Sequence, residues 1–190
     1  MADEAGQLRN DDLDPEAEAR RRTALAQIRQ WGDPALRMQA REVETFDGDL
    51  ERLVERMRLL MVNANGVGLA ATQVGVLRRV LVFSARPEDE PTALVNPILV
   101  EASEERVESE EGCLSLQGVL VPVERSAAVT VTGRGIAGGE VRLELEGLPA
   151  RVIQHELDHL DGVLILARTT PEERRAALAV LRPFPLLTAA

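Results

Sequence analysis

The spacing of apolar residues predicts two helices in the first third of the chain. Between residues 18 and 31, apolar side chains recur every three or four positions and so share one helical face, and the Gly-Asp-Pro triplet at 32–34 ends the pattern. Residues 50–62 carry a wider apolar stripe, and Asp49 in front of them is a typical N-cap. The run Asn-Ala-Asn-Gly at 63–66 suits a left-handed cap that ends this second helix.

Two more helices are predicted towards the C-terminal end. The first begins near Pro149, because proline is tolerated in the first turn of a helix, and ends near residues 161–162, Asp-Gly. The second begins at 170–173, where Thr-Pro-Glu-Glu has the pattern of a capping box with proline at the first helical position.

Short apolar runs between these helices predict strands. Residues 80–83 and 93–100 are apolar runs of strand length, separated by turn-forming residues. Valines alternate with threonines at 129–131, and apolar and charged residues alternate at 141–145. The glycine-rich segment 133–139 between the last two predicts a hairpin with one solvent-exposed face.

The order of these elements predicts an α+β fold. Runs of strands followed by helices are typical of that class rather than of an alternating parallel sheet. We expect antiparallel strands and the hairpin to pack around the helix that begins near Pro149, with one further helix at the C-terminal end. Residues 1–20 hold seven acidic residues against two arginines and are predicted to be a flexible extension, with residues 21–190 as a single domain.

Composition excludes several classes of function. The net charge of −10 argues against a protein that holds nucleic acid or an anionic membrane electrostatically. A single cysteine cannot form an intrachain disulfide, which suits a reducing compartment. The sequence shows no apolar run of membrane-spanning length and no apolar core of a secretory signal, so we expect a cytoplasmic protein.

Both histidines of the chain lie in the predicted helix, in the HExxH segment His155-Glu-Leu-Asp-His159. Side chains four apart on a helix share a face, so both rings can reach one metal ion. Glu156 then lies where it can act on a metal-bound water without binding the metal itself. An ordinary amphipathic helix with two surface histidines is the alternative interpretation.

A catalytic metal site of this kind needs a third protein ligand and one position for water. No histidine remains. Glu172 or Glu173 could serve, as in a zincin-type metallopeptidase, but both belong to the predicted capping box. Cys113, in the segment Glu-Gly-Cys-Leu-Ser at 111–115, is the best remaining ligand, although a lone cysteine is more often a small buried apolar residue.

The segment Gly-Val-Gly-Leu-Ala-Ala-Thr-Gln at 66–73 has two interpretations. It matches the G-x-G-x-x-A pattern of dinucleotide-binding proteins, but that fingerprint requires a preceding strand, and a helix is predicted there. The alternative is a loop where missing side chains let a substrate backbone approach closely. Gln73 at its end would supply a neutral amide donor.

Three segments together resemble the bacterial peptide deformylases. GVGLAATQ at 66–73, EGCLS at 111–115 and QHELDH at 154–159 occur in the order and approximate spacing of that family, and the similarity spans residues 25–168. IRQWGDPALR at 28–37 resembles the family's N-terminal signature. VERSAAVTVTG at 123–133 resembles its central hairpin.

The resemblance implies an amide hydrolase that removes the formyl group from the N-terminal formylmethionine of nascent polypeptides, close to the ribosome exit, and releases formate. It implies one divalent metal ion, normally Fe(II), with Zn(II) or Ni(II) accommodated. Metal-bound water would attack the formyl carbonyl. The implied ligands are Cys113, His155 and His159, the general base and acid is Glu156, and the oxyanion donors are Gln73 and the Leu114 N–H.

The resemblance also implies supporting residues and shows departures. Glu111 and Arg125 match a pair that braces the metal loop. The candidate substrate-binding residues are Gly68 and four apolar walls of a methionine pocket, Val67, Leu114, Leu148 and Val152. Where most members have Pro-Gly this chain has Gln117-Gly118, which we expect to loosen the turn, and Ile165 and Ala167 replace an aromatic residue and an Asp. A zincin-type metallopeptidase and a catalytically degenerate metal-binding member remain alternatives.

Overall fold

The computed structural model describes residues 14–84 and 89–181, and these form four α-helices and seven strands. Three short 3-10 helices lie at Pro34–Arg37, Ala71–Val74 and Ile165–Ala167. The α-helices are α1 (Pro15–Leu25), α2 (Gly48–Asn63), α3 (Gly147–Leu160) and α4 (Pro171–Leu181). The strands are β1 (Gly68–Ala70), β2 (Val80–Phe83), β3 (Thr92–Ala102), β4 (Arg106–Gly112), β5 (Leu120–Ser126), β6 (Ala128–Arg134) and β7 (Glu140–Glu146).

The strands form two antiparallel sheets. The larger has the order β1-β2-β3-β6-β7, and the smaller consists of the hairpin β4–β5. The pairing of β3 with β6 shifts register twice, between Val95 and Ile98 and between Leu99 and Glu101, which marks irregularities in β3. Helices combined with antiparallel sheets are the α+β arrangement that the sequence predicts.

Helices cover both faces of the larger sheet at β2. Val80 and Val82 of this strand belong to a buried cluster with α1 and α2, while Leu81 and Phe83 belong to a second cluster with α3. Successive residues of a strand point to opposite faces, so a strand covered on both sides is apolar throughout. This packing fixes α3 against the sheet.

The hairpin β4–β5 packs in a third buried cluster. Its members include Val121 and Val123 from β5, Leu116 from the loop before it, and Ala177 from α4. Cys113 lies in the same cluster, directly after the end of β4. The loop that carries the cysteine is therefore held between the hairpin and the C-terminal helix.

Several predicted helix boundaries are wrong. Helix α1 spans Pro15–Leu25 rather than 18–31, because Asp14 accepts a hydrogen bond from Ala17 N and so caps the helix earlier. Six residues of the predicted acidic extension thus belong to a helix, and residues 1–13 lie outside the described residues.

The cap of α2 also differs from the prediction. The N-cap is Asp47, whose carboxylate accepts bonds from the N–H groups of Asp49 and Leu50, so Asp49 is itself a residue of the first turn. Asn65, with a φ of 56°, adopts the left-handed conformation predicted after this helix. At the start of α4, Thr170 Oγ1 accepts from Glu173 N at 3.2 Å, as the capping-box pattern predicts.

The strands β4 and β5 were not predicted. Residues 106–112 are mostly charged or polar and exposed, so they lack the apolar alternation by which a strand is recognised. The interpretation of 123–133 as one hairpin is also wrong, because this stretch leaves β5 in the small sheet and enters β6 in the large one. Instead β5 forms a hairpin with β4, and β6 forms one with β7. No helix in residues 14–84 and 89–181 has both the length and the apolar character of a membrane span.

Candidate active site

Helix α3 carries both histidines and Glu156 in its last turns. The ring centroids of His155 and His159 lie 4.9 Å apart, as the spacing of four residues predicts. Glu156 and His159 are buried, and the sheet beneath α3 holds this end of the helix in place.

Cys113 lies against the two histidines. Its Sγ is 3.2 Å from His159 Nε2, and the ligand atoms of Cys113, His155 and His159 all lie within 4.8 Å of one another. One ion at bond lengths of about 2.0–2.3 Å can bind such a set of one sulfur and two nitrogens. Glu172 and Glu173 are exposed at the first turn of α4 and are not part of this cluster.

An unpartnered polar atom beside the three ligand atoms fits a bound cation and its water. Glu156 Oε2 is buried without a hydrogen-bond partner among the described residues. An unmade hydrogen bond of a buried carboxylate is costly, so such an atom indicates that water or an ion belongs there. The residues present therefore fit a divalent metal ion with a water molecule beside Glu156.

Glu111 connects the histidine to a buried ion-pair network. Its carboxylate accepts two bonds from the Arg125 guanidinium, both at 2.9 Å, and lies 3.1 Å from His155 Nδ1. Arg125 also donates to Asp158 at 2.6 Å, and Arg168 binds the same aspartate from outside. An acceptor on Nδ1 leaves Nε2 of a histidine free to bind a metal.

Burial and charge shift the pKa values of these groups. Burial raises the pKa of Glu156 to about 7, so the carboxyl group can take and release a proton near neutrality. Burial also acts on Glu111, but the hydrogen bonds from Arg125 and His155 outweigh it and hold the pKa of Glu111 well below its ordinary value. Glu111 is therefore a permanent anion beside His155.

The two histidines shift in opposite directions in the metal-free protein. Burial disfavours the charged form of His155, but hydrogen bonds with Cys113 and Glu111 outweigh it and raise its pKa well above the ordinary value. Burial and the adjacent charge of His155 lower the pKa of His159. Both rings must be neutral to bind a metal, so protons compete with the metal chiefly at His155.

Gln73 lies on the 3-10 helix that follows β1 and faces the cluster of candidate metal ligands, Cys113, His155 and His159. Its Oε1 accepts from Ala70 N at 2.8 Å, which points the amide nitrogen towards the site. Nε2 lies 3.7 Å from Cys113 Sγ and 3.1 Å from Ser115 Oγ. A fixed amide donor at this place can stabilise an oxyanion that forms next to the metal.

The loop after Cys113 is braced by glutamines. Gln30 Nε2 donates to the carbonyl of Leu114 at 3.1 Å, and Gln117 Nε2 donates to Gln30 Oε1 at 2.9 Å. Gly118 has a φ of +76°, in the left-handed region. The substitution at position 117, expected to loosen the turn, thus adds a side-chain bond that ties the loop to residue 30.

A cavity opens beside the metal cluster. All five candidate substrate-binding residues line it, together with Gln73, Glu111, Arg151, Glu156 and two members of the cluster, Cys113 and His155. Gly68 lets the Glu156 carboxylate lie close to strand β1, because a Cβ atom at residue 68 would be 2.4 Å from Glu156 Oε1. Gly68 also belongs to strand β1, so the glycine segment does not form the strand-to-helix turn of a dinucleotide site.

Sequence comparison identifies the family. The family model for polypeptide deformylases matches residues 25–175. The chain belongs to the polypeptide deformylase family. A peptide deformylase of Thermotoga neapolitana is 47% identical over 150 residues, which cover 79% of this chain and 90% of the relative. Peptide deformylase 1 of Corynebacterium glutamicum is 44% identical over 161 residues, which cover 84% and 95% of the two chains.

Solved structures agree with this assignment. The crystal structure of a peptide deformylase from Legionella pneumophila matches with a TM-score of 0.78 and 39% identity, over 81% of this chain and 91% of that one. The structure of the peptide deformylase from Thermotoga maritima matches with a TM-score of 0.73 and 45% identity, over 76% and 97%. The α+β arrangement of this deformylase is therefore that of its family.

Sequence reasoning missed several residues of this deformylase site. Arg151 and Asp158 are buried charged residues of α3 that contact the Glu111–Arg125 pair. Ser115 is fully buried, and its N–H points at Cys113 Sγ at 3.4 Å. The one available signal was that Arg151 precedes His155 by four residues and so shares its helical face.

Proposed function

We propose that this deformylase hydrolyses the formyl amide at the N-terminal formylmethionine of nascent polypeptides. The observation that carries the proposal is Glu156, a buried carboxyl group of raised pKa, beside the Cys113, His155 and His159 cluster and the cavity. Water adds to the formyl carbon, the carbon–nitrogen bond breaks, and the products are formate and a free amine.

The cluster would hold one divalent ion, for which we propose Fe(II), with Zn(II) or Ni(II) as substitutes. When bound, the ion supplies Lewis acidity and lowers the pKa of water to near neutrality. The mixed sulfur and nitrogen ligand set suits all three metals. Glu111 orients His155 through Nδ1, and Arg125 holds Glu111 in turn.

Glu156 moves the protons. Its carboxylate takes a proton from the attacking water and then donates that proton to the departing amide nitrogen, so that the amine leaves neutral. Gln73 Nε2 and the Leu114 N–H would donate to the oxygen of the formyl carbonyl as it gains negative charge. Each such donor contributes on the order of 2.7–4 kcal/mol at comparable sites.

The cavity would select the substrate. Val67, Leu148 and Val152 give it apolar walls suited to the methionine side chain, and Gly68 leaves room in its lining for the Glu156 carboxylate. We propose a cytoplasmic enzyme that acts on chains near the ribosome exit. The net charge of −10 argues against direct binding to RNA there.

The activity is tested with metal-loaded protein, prepared anaerobically, and a formylmethionyl tripeptide. We expect formate release with the peptide bonds intact, measured by a formate assay and by mass spectrometry. An acetylmethionyl tripeptide is the control substrate. Cleavage of a peptide bond instead would support a metallopeptidase, and no turnover by fully metal-loaded protein would support a degenerate member.

A second experiment separates the two candidate ligand sets. Metal content is measured in C113S and in the double variant E172Q/E173Q. We expect C113S to lose the ion and the double variant to retain one ion per chain. The opposite result would favour the zincin arrangement.

A further inference from the structure

Arg151 is a buried charged side chain next to the metal cluster for which the mechanism above has no role. It lies on α3, one turn before His155, and is 8% exposed. Burying a guanidinium is costly unless its N–H groups are bonded. Its partners therefore show what holds it there.

Arg151 joins α3 to both strands of the hairpin β4–β5. Nη2 donates to the carbonyl of Val107 in β4 at 2.7 Å, and Nη1 donates to the carbonyl of Val123 in β5 at 2.9 Å. Nη1 also donates to Glu111 Oε1 at 2.8 Å. The same guanidinium thus fixes the helix, the hairpin that leads to Cys113, and the carboxylate beside His155.

The two arginines and His155 together satisfy both oxygens of Glu111. Oε1 accepts from Arg125 Nε and Arg151 Nη1, and Oε2 accepts from Arg125 Nη2 and faces His155 Nδ1. A carboxylate that is hydrogen-bonded to a single guanidinium can still change its orientation. A second guanidinium attached to another element removes that freedom and keeps Oε2 directed at the histidine.

We propose that Arg151 is a positioning residue that acts through Glu111 on His155 and thereby sets the affinity of the site for its metal. The proposal rests on the proposed metal centre but not on the deformylation reaction. It also explains why a buried arginine lies in the pocket wall that Leu148 and Val152 help to form.

The test is Co(II) affinity, measured by chelator competition, together with the visible absorption spectrum of the Co(II) protein. R151M keeps the unbranched apolar stem of the side chain but removes its donors. We expect R151M to bind Co(II) 10- to 100-fold more weakly and to shift the absorption bands, because losing a residue that orients a ligand typically has effects of this size. R151K, which retains one donor group for Glu111, should recover part of the affinity.

A double-mutant cycle tests whether Arg151 affects metal binding through Glu111. If Arg151 acts through Glu111, R151M should weaken Co(II) binding much less in an E111Q background than in the wild-type chain. R142M is the matched control, because Arg142 is half-exposed on β7 and, within the part of the chain that the structure describes, forms ion pairs only with Glu101 and Glu144. It should leave affinity and spectrum unchanged.

Two results would overturn the proposal. One is an R151M protein with wild-type Co(II) affinity and spectrum but a lower unfolding midpoint, which would make Arg151 a structural tie alone. The other is an equal loss of affinity in the E111Q background. Should R151M not fold, R151Q, which lacks the guanidinium that bonds Glu111, must meet the same criteria. A chain that binds Co(II) normally yet releases no formate would refute the proposed function and leave this test intact.

Discussion

Gly68 and Glu156 show how closely single residues are fitted at the site. A Cβ atom at residue 68 would lie 2.4 Å from Glu156 Oε1 and 2.9 Å from a methyl group of Val152. We expect G68A to displace the carboxylate and to lower kcat/KM at least 100-fold, because misplacements of about 1 Å have effects of that size. G139A is the matched control, since a Cβ atom there meets nothing within 4 Å. Wild-type kcat/KM in G68A would show that Glu156 is not fitted to this glycine.

The raised pKa of Glu156 predicts a pH-dependent cost in stability. Its folded-state pKa of about 7 exceeds its ordinary value of 4.5, so the folded protein binds the proton more tightly than the unfolded chain does. The stability contributed by this group is complete below pH 4.5 and is lost as the pH rises through 7. The difference corresponds to about 3 kcal/mol.

Metal-free E156Q should therefore be more stable than the metal-free wild type at pH 8. Denaturant unfolding at pH 8, 7, 6 and 5 measures the difference, which should be largest at pH 8 and shrink as the pH falls. If the difference in unfolding free energy between the two proteins stays constant with pH, burial does not raise the pKa of the Glu156 carboxyl group.

At the scale of elements, the cap of α2 distinguishes the structure from the sequence pattern. The pattern favours Asp49, whereas the carboxylate of Asp47 accepts the bonds from the first-turn N–H groups. D47A should lower the free energy of unfolding by about 1 kcal/mol, the typical value of such a cap. D49A should lower it by less, because Asp49 contributes only first-turn charge and an exposed pair with Arg52. Equal losses in urea unfolding would contradict this assignment.

An element can be predicted from the sequence when its packed faces carry a regular pattern of apolar residues. Strand β2 and helix α3 are apolar where they pack, so their patterns identify them. Strand β4 is mostly charged and exposed, and its pairing with β5 depends on backbone bonds that the side chains do not reveal. The boundary between β5 and β6 lies at Ala127, and no sequence signal marks the change from one sheet to the other.

At the scale of the whole molecule, the metal cluster joins parts of the chain that are far apart in sequence. Cys113 follows β4, while His155 and His159 lie on α3, more than 40 residues later. The motifs predicted these candidate ligands because cysteine and paired histidines have a specific chemistry. The sequence could not reveal Arg151 as a partner of Glu111, because that contact exists only after the hairpin packs on the helix.

An ion that binds only the folded chain stabilises it. At a free metal concentration 1,000 times the dissociation constant, the gain is about 4 kcal/mol. Adding chelator to the holoprotein should therefore lower the thermal midpoint by several degrees. The C113S variant should show no such shift, and an identical shift in both proteins would place the stabilising ion elsewhere.

The proposed mechanism assigns proton transfer to Glu156 and metal binding to Cys113, His155 and His159. The most direct measurement is formate release from a formylmethionyl tripeptide by E156Q, with the metal content determined on the same sample. We predict one ion per chain, as in the wild type, and formate release at background level. Full activity in metal-loaded E156Q, or loss of the ion from it, would contradict the role of Glu156 as the proton-transferring group.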